Sequence, residues 1–181
     1  MGDISESIAI YERLRRNKYR ISVEDGTEFS LRFEERYYHH LAGFQHIEDI
    51  RRIQIPPYGT RRFYQELKKH RIAEKEIYDS KQYSVISERI ERFSDIEEIM
   101  RPGNAKIIVD YDRNIAESKI RAKYFLYKRE ESAFEGNVVY SALFIGHNEI
   151  NAEYYPVTFV VERSVMFLRD QKFLNCTISI E

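Results

Sequence analysis

The sequence has one cysteine and no tryptophan among 181 residues. A single cysteine excludes an intramolecular disulfide and any cysteine-rich metal motif. Cys176 lies in the alternating segment Leu174-Asn175-Cys176-Thr177-Ile178. This pattern predicts a small core residue on a strand rather than a nucleophile.

Long apolar runs are also missing. No stretch approaches the ~20 apolar residues that a membrane-spanning helix needs. The N-terminus carries acids and lacks a long apolar run and a small-residue cleavage site. We therefore expect no signal peptide, no membrane partner and a cytoplasmic location. A glycine-rich phosphate loop and a Gly-x-Ser-x-Gly motif are absent, and the sequence predicts no cofactor.

An excess of charge of either sign is absent as well. The 29 Lys and Arg residues and 30 Asp and Glu residues give a net charge of −1. A nucleic-acid partner would therefore need a local basic patch. Hydrophobic residues make up 43% of the chain, with 14 Tyr and 11 Phe, so the chain can bury a core rich in aromatic rings.

Apolar periodicity predicts a single α+β domain over residues 1–181. We expect an N-terminal helix in 1–17, a β-hairpin and helices in 18–104, and an antiparallel sheet of about 4–5 strands in 105–181. The fold would then have a helical N-terminal half followed by a sheet.

The predicted hairpin fixes its own register. A three-residue loop, Glu24-Asp25-Gly26, sets Ile21 opposite Phe29 and Tyr19 opposite Leu31. Both apolar sets then share one face, and Gly26 takes the left-handed position that such loops need.

Three of the five histidines lie in residues 37–47. Apolar residues recur there at helical spacing: Tyr37, Leu41, Phe44 and Ile47. The spacing predicts a helix over 35–50 that Gly43 kinks or splits. His40, at the edge of the apolar stripe, would be partly buried yet touch solvent, where an imidazole can move protons near neutral pH. The alternative is a histidine that is only packed and hydrogen-bonded.

Alternation along the predicted strand Ile120–Lys128 places cations and aromatic rings on one face: Arg121, Lys123, Phe125 and Tyr127. The other face would carry Ile120, Ala122, Tyr124 and Leu126. A face that mixes cations with rings suits phosphates and bases.

A second predicted strand, Pro156–Glu162, has Thr158 and Glu162 on one face. If the two strand faces converge with His40, the site could cleave RNA without a metal. A base would take the 2′-hydroxyl proton, a cation would stabilise the charged phosphorane, and an acid would protonate the leaving oxygen. Otherwise Lys123 is a solvated lysine and Thr158 a β-branched sheet residue.

A metal site is a further alternative. His39, His46 and Asp49 could share one face of a helix, and imidazole and carboxylate are suitable zinc ligands. No His-x-x-x-His pair is present, and Gly43 interrupts the helix, so we prefer a site without metal.

Four segments, in this order along the chain, carry a resemblance: Glu35–Phe44 with its His-Leu-Ala-Gly-Phe motif, Ile77–Ser80 leading into Ile86–Phe93, Lys123–Lys128, and Tyr155–Arg163 with its Pro-Val-Thr-Phe motif. They are similar to the signature, the middle helix and two sheet strands of phage-type barnase–EndoU–colicin–RelE-like nuclease domains. The resemblance runs from about residue 18 to the C-terminus.

The resemblance implies a metal-independent endoribonuclease of a phage or mobile element, toxin-like, with RNA and an inhibitor protein as partners. It implies that His40 is the general acid or base, that Lys123 neutralises the phosphate and that Thr158 orients it. The strand faces, and not the resemblance, make Glu162 the weaker candidate for the complementary proton carrier. Four arginines are the expected RNA-binding residues: Arg51, Arg52, Arg89 and Arg121. Arg89 matches a helix arginine of the family, and its alternative role is to brace the fold.

A rival interpretation is a non-catalytic module of a mobile element that binds protein or nucleic acid with the same fold. Four tyrosines would suit its interface if they are exposed: Tyr37, Tyr38, Tyr154 and Tyr155.

Overall fold

The computed structural model describes residues 3–131 and 137–181, with the backbone alone at residue 104. Seven strands form one antiparallel sheet: β1 (Lys18–Val23), β2 (Glu28–Arg32), β3 (Gly103–Asp110), β4 (Tyr124–Glu131), β5 (Val138–Asn148), β6 (Glu153–Glu162) and β7 (Lys172–Ile180). Their order in the sheet is β2-β1-β7-β3-β4-β5-β6.

Seven helices precede β3 in the described residues: α1 (Ile4–Arg15), α2 (Tyr38–Ala42), α3 (Arg51–Gln54), α4 (Gly59–Lys68), α5 (Glu74–Tyr78), α6 (Tyr83–Glu91) and α7 (Asp95–Ile99). Two short 3₁₀ helices, Glu35–Tyr37 and Phe44–His46, flank α2. None of the helices in these residues is long and apolar enough to cross a membrane.

The α+β class is confirmed, and the C-terminal part of the chain supplies five strands, but the sheet as a whole has seven instead of the predicted 4–5. The N-terminal hairpin belongs to the same sheet, because β1 pairs with β7 and sets Ile21 opposite Ile178. The N-terminal half of the chain therefore contributes two strands to the sheet in addition to the helices.

The hairpin register is confirmed. Ile21 lies opposite Phe29 and Tyr19 opposite Leu31, and Gly26 has a φ of +91° in the loop. At the other end of the sheet order, the Tyr154 ring of β6 stacks on the Phe29 ring of β2 with centroids 4.1 Å apart. The two edge strands thus meet, and the curved sheet is nearly closed into a barrel.

Hydrophobic residues form two clusters on opposite faces of the sheet. The larger one joins the helices to the sheet and contains Tyr124 and Leu126 of β4 together with Cys176 of β7, which is 2% exposed as predicted. Burial raises the pKa of the Cys176 thiol to about 11, which suits a core residue rather than a nucleophile. The smaller cluster contains Phe125, with Tyr127 packed against it.

The predicted faces of the segment before β4 were partly wrong. Ile120 and Ala122 pack against the smaller cluster, on the side of Phe125 and not of Tyr124. The reason is that β4 begins only at Tyr124, so strand alternation does not extend to the preceding residues.

Candidate active site

Gly43 divides the histidine segment. Its φ of +86° ends α2 in the left-handed conformation, and its backbone N–H donates to the carbonyl of His40. The chain then continues as the 3₁₀ helix Phe44–His46. The expected helix over 35–50 is therefore split at Gly43, because glycine tolerates a positive φ that ends the helix.

The two faces of α2 separate the adjacent histidines. Leu41 and Ala42 are fully buried and His39 is 1% exposed, whereas His40 lies on the exposed side. His40 still lies close enough to the surrounding protein that desolvation lowers its pKa below the usual value. At neutral pH its imidazole is therefore mostly unprotonated.

His39 has a structural role in the core. Its Nε2 lies 2.6 Å from the carbonyl oxygen of Ile53 in α3, so Nε2–H is the donor. Desolvation by burial lowers the pKa of His39 to about 4, with the Ile53 contact opposing. The ring also packs edge-on against Phe63 of α4, with centroids 5.1 Å apart. His39 thus ties α2 to α3 and α4 as a neutral core residue.

The metal alternative with His39, His46 and Asp49 was wrong. His39 is buried and bonded to a carbonyl, and the Asp49 carboxylate accepts hydrogen bonds from the Ser80 hydroxyl at 2.6 Å and the Lys81 N–H at 2.9 Å. Over 3–131 and 137–181, no group of three or more His, Cys, Asp and Glu side chains could hold a metal ion.

Arg89 extends from α6 to lie directly against Gly43. A Cβ placed on Gly43 would be 3.1 Å from Arg89 Cδ and 3.3 Å from its Nη1. Within the described part of the chain, Nη1 is buried and has no hydrogen-bond partner. Leaving a buried donor unpaired costs roughly 1–3 kcal/mol, and such an atom in a native fold calls for an explanation beyond packing.

Electrostatic interactions join Arg89 to His46 and Glu162, and join His46 to His40. Burial lowers the pKa of His46 most, and its interactions with Arg89 and with His40 lower it further. Desolvation also lowers the pKa of Arg89, while the Glu162 carboxylate at the end of β6 opposes that shift. We call His40, His46, Arg89 and Glu162 the histidine–arginine cluster.

The cluster unites three of the segments that carried the resemblance. His40 and Gly43 come from the first segment, Arg89 from the helix and Glu162 from the last strand. The sequence had assigned Arg89 to RNA binding and His46 to a metal site. The sequence feature that could have indicated the position of Arg89 was Gly43. A glycine at a left-handed turn leaves room for the close approach of a long side chain.

Lys123 lines a cavity of about 750 Å³ together with Arg121 and Tyr155. Its ammonium is 2.6 Å from the Asp110 carboxylate and 5.1 Å from the centre of the Tyr124 ring. The Asp110 bond raises the pKa of Lys123. The lining of this cavity mixes rings and four cations with four carboxylates, those of Asp110, Asp112, Glu149 and Asp170, and it includes none of the four residues of the histidine–arginine cluster.

Thr158 is buried in β6 opposite Phe144, which belongs to the smaller cluster. Its side chain therefore points to the sheet face that the helices do not cover. Glu162 is exposed at the end of β6 opposite Tyr140 and is on the same face by register. Because Glu162 is the last residue of β6, its charge can still act on Arg89, whose pKa it raises against the larger effect of desolvation.

The arginines expected to bind RNA have different surroundings. Arg51 and Arg121 are exposed, and Arg52 forms an ion pair with Glu76 in α5.

The expectation of four exposed tyrosines was wrong: Tyr38 is fully buried, and the other three are partly buried. Tyr38 is hydrogen-bonded to Ser7 of α1, so it belongs to the core and not to an interface.

Replacement of Gly43 by alanine should destabilise the protein more than replacement of Gly26. Both residues have similar positive φ values, +86° and +91°, so both lose about 1–2 kcal/mol from the backbone alone. Only the Gly43 methyl group would meet neighbours, Arg89 and Ile86, each at 3.1 Å, whereas the Gly26 methyl meets nothing within 4 Å. Urea denaturation of both variants measures the difference, and equal losses would contradict close packing of Arg89 on Gly43.

One family model matches the chain, over residues 3–172, and its description is phage-Barnase-EndoU-ColicinE5/D-RelE like nuclease4. No curated protein and no solved structure gives a significant match. The family match confirms the resemblance to this group of nuclease domains. Because it covers far more than half of the chain, the protein belongs to the family of phage-Barnase-EndoU-ColicinE5/D-RelE like nucleases.

Proposed function

We propose that the protein is a metal-independent endoribonuclease whose reaction takes place at the histidine–arginine cluster. Membership of a nuclease family indicates a nucleic-acid substrate. The observation that carries the proposal is the Arg89 guanidinium. Its buried Nη1 has no hydrogen-bond partner among the described residues, its side chain packs against Gly43 at the end of the helix that carries His40, and its charge acts on His46. A cation and two proton carriers are the groups that phosphodiester cleavage requires.

His40 acts as the general base. Its lowered pKa keeps the imidazole unprotonated near neutral pH, so that it can take the proton of a ribose 2′-hydroxyl. The 2′-oxygen then bonds to phosphorus, and the bond from phosphorus to the 5′-oxygen breaks. The products are a 2′,3′-cyclic phosphate and a 5′-hydroxyl, and the proton of the 5′-hydroxyl comes from a general acid.

His46 is the best-supported acid, with Glu162 as the second candidate. Burial lowers the pKa of His46, and the charge of Arg89 lowers it further, so the protonated form is the minor one near neutral pH. Once protonated, however, a weaker base gives up its proton more readily. Arg89 binds the phosphoryl oxygens, because a planar guanidinium donates two parallel hydrogen bonds to a phosphate. Its side chain is half-buried, so it turns outward on substrate binding to bring the buried Nη1 to the phosphate. In this proposal Arg89 takes the phosphate role that the sequence had given to Lys123.

Lys123 and Arg121 then bind RNA beyond the cleaved bond. Both line the same cavity, and the Lys123 ammonium keeps its charge through the Asp110 ion pair. Thr158 remains a sheet residue opposite Phe144. The rival interpretation, a non-catalytic binding module, is weakened because Tyr38 is buried and unsuited to an interface.

The purified protein should cut single-stranded RNA equally well in EDTA and in Mg²⁺, and it should leave DNA of the same sequence intact. DNA lacks the 2′-hydroxyl that His40 would deprotonate, so its cleavage requires a different reaction. Gel analysis of both substrates, with mass spectrometry for the cyclic phosphate, provides the measurement. Loss of cleavage in EDTA, or cutting of DNA at the RNA rate, would contradict the proposal.

A further inference from the structure

Residues 51–71 concentrate positive charge in a chain that is nearly neutral overall. The segment holds seven Lys and Arg residues and one glutamate, a local charge of +6 against −1 for the whole chain. It forms α3, α4 and the loop between them. A local patch of this kind is what a nearly neutral protein needs in order to bind a polyanion.

Among the described residues, five of these seven cations form ion pairs, but with only four carboxylates: Arg52 with Glu76, Arg61 with Glu35, Lys68 with Glu12, and both Arg62 and Arg71 with Glu66. Arg62 and Arg71 share one carboxylate, that of Glu66, at 2.8 and 3.2 Å. In the part of the chain that the structure describes, Arg51 and Lys69 have no ion-pair partner. The side chains of the paired arginines also stay largely accessible, with 52% exposure for Arg62 and 56% for Arg71. The surface is therefore positively charged and open to solvent.

The aromatic ring of Tyr58 lies among these cations. Tyr58, in the loop between α3 and α4, is 84% exposed. The side chains of Arg52, Arg62 and Arg71 line a cavity of about 250 Å³ together with Tyr58. Phe63 and Pro57 contribute apolar surface to the same cavity. Exposed rings beside cations are the feature by which proteins stack the bases and hold the phosphates of single-stranded nucleic acids.

The basic surface is fixed to the helix that carries His40. His39, adjacent to His40 in α2, is hydrogen-bonded to Ile53 of α3 and packs on Phe63 of α4. Both partners belong to the basic segment. A strand of RNA held on α3 and α4 would therefore be held on the same rigid unit as His40.

We propose that the surface formed by Tyr58, Arg52, Arg62 and Arg71 binds single-stranded RNA next to the cleaved bond. Tyr58 stacks on one base, and the three arginines contact phosphates. The inference rests on the proposed function for the choice of RNA as ligand. An acidic protein is the other ligand that this charge would attract, but the exposed ring and the cavity beside it favour bases.

The test measures binding without catalysis. A fluorescent 12-nucleotide 2′-O-methyl RNA lacks the nucleophilic hydroxyl, so anisotropy titration of the otherwise unaltered protein reports affinity alone. Tyr58→Ala should weaken binding roughly 5- to 100-fold, and Tyr58→Phe should retain most of the affinity. The triple variant Arg52→Gln, Arg62→Gln, Arg71→Gln should reduce the slope of log affinity against log salt by about 0.7 for each phosphate that is no longer neutralised.

Two variants control for nonspecific effects. Ile150→Ala removes an exposed apolar side chain, 97% accessible, from the turn after β5, and Arg101→Gln removes one exposed positive charge elsewhere. Both should bind like the parent. Parent-like binding by Tyr58→Ala and the triple variant would overturn the inference, as would equal competition by a poly-glutamate of the same charge. RNA cleavage by the parent, assayed separately, keeps a failure of this surface distinct from a failure of the nuclease proposal.

Discussion

Replacement of His40 by alanine is expected to reduce RNA cleavage by about 10²- to 10⁴-fold without unfolding the protein, the range for loss of a general base. His40 is exposed on α2, so truncation removes little packing, whereas His39 beside it is buried. Single-turnover cleavage of a defined RNA in EDTA measures the effect, and thermal unfolding confirms that the variant is folded.

The pH dependence gives a second signature of the same residue. Because desolvation lowers the pKa of His40, the base form persists below the usual histidine pKa and is lost as the pH falls through the lowered value. The kcat/KM of the parent should fall on that acidic side. In the His40→Ala variant, kcat/KM should be lower at every pH, and its fall on the acidic side should disappear.

A matched control is available in another exposed histidine. His70 follows α4 with a φ of +54°, a conformation that asparagine tolerates, so His70→Asn should leave both rate and pH profile unchanged. Undiminished cleavage by His40→Ala, or an equal loss in His70→Asn, would remove His40 from the proposed mechanism.

Local patterns in the sequence predicted local structure well. Loop length and face alternation fixed the pairing of Ile21 with Phe29, because in a hairpin these two constraints are enough to set the register. Likewise the glycine in the histidine segment predicted the break in the helix, since φ at Gly43 is positive. Such predictions depend only on residues close together in the chain.

Long-range placement did not follow from the same patterns. Nothing in the alternation of β7 indicates that it pairs with β1, because any strand with an apolar face could occupy that position. Strand faces likewise could not reveal that Lys123 forms an ion pair with Asp110 on β3, or that Arg89 reaches Gly43. The candidate cluster therefore depends on long-range packing, although the family motifs already contained His40, Arg89 and Glu162.

Replacement of Arg89 by glutamine should reduce cleavage by about 10²- to 10³-fold, the usual effect of removing one stabilising donor from a developing negative charge. Arg89→Lys should also be impaired, because an ammonium keeps the charge but not the planar pair of donors. The pKa of His46 gives a second readout beside the cleavage rate. Since Arg89 lowers the pKa of His46, its removal should raise that pKa, which titration of the histidine ring protons by NMR can measure.

Arg92, one turn further along the chain, is the matched control. It forms an ion pair with Glu130 at 2.9 Å and lies 3.6 Å from the buried Asp95, so Arg92→Gln should lose stability and keep its cleavage rate. Arg89→Gln should show the reverse, lost cleavage with little or no lost stability, because the native fold already bears the cost of the unpartnered Nη1. An arginine that only braces the fold would instead lose stability along with activity and would leave the pKa of His46 unchanged.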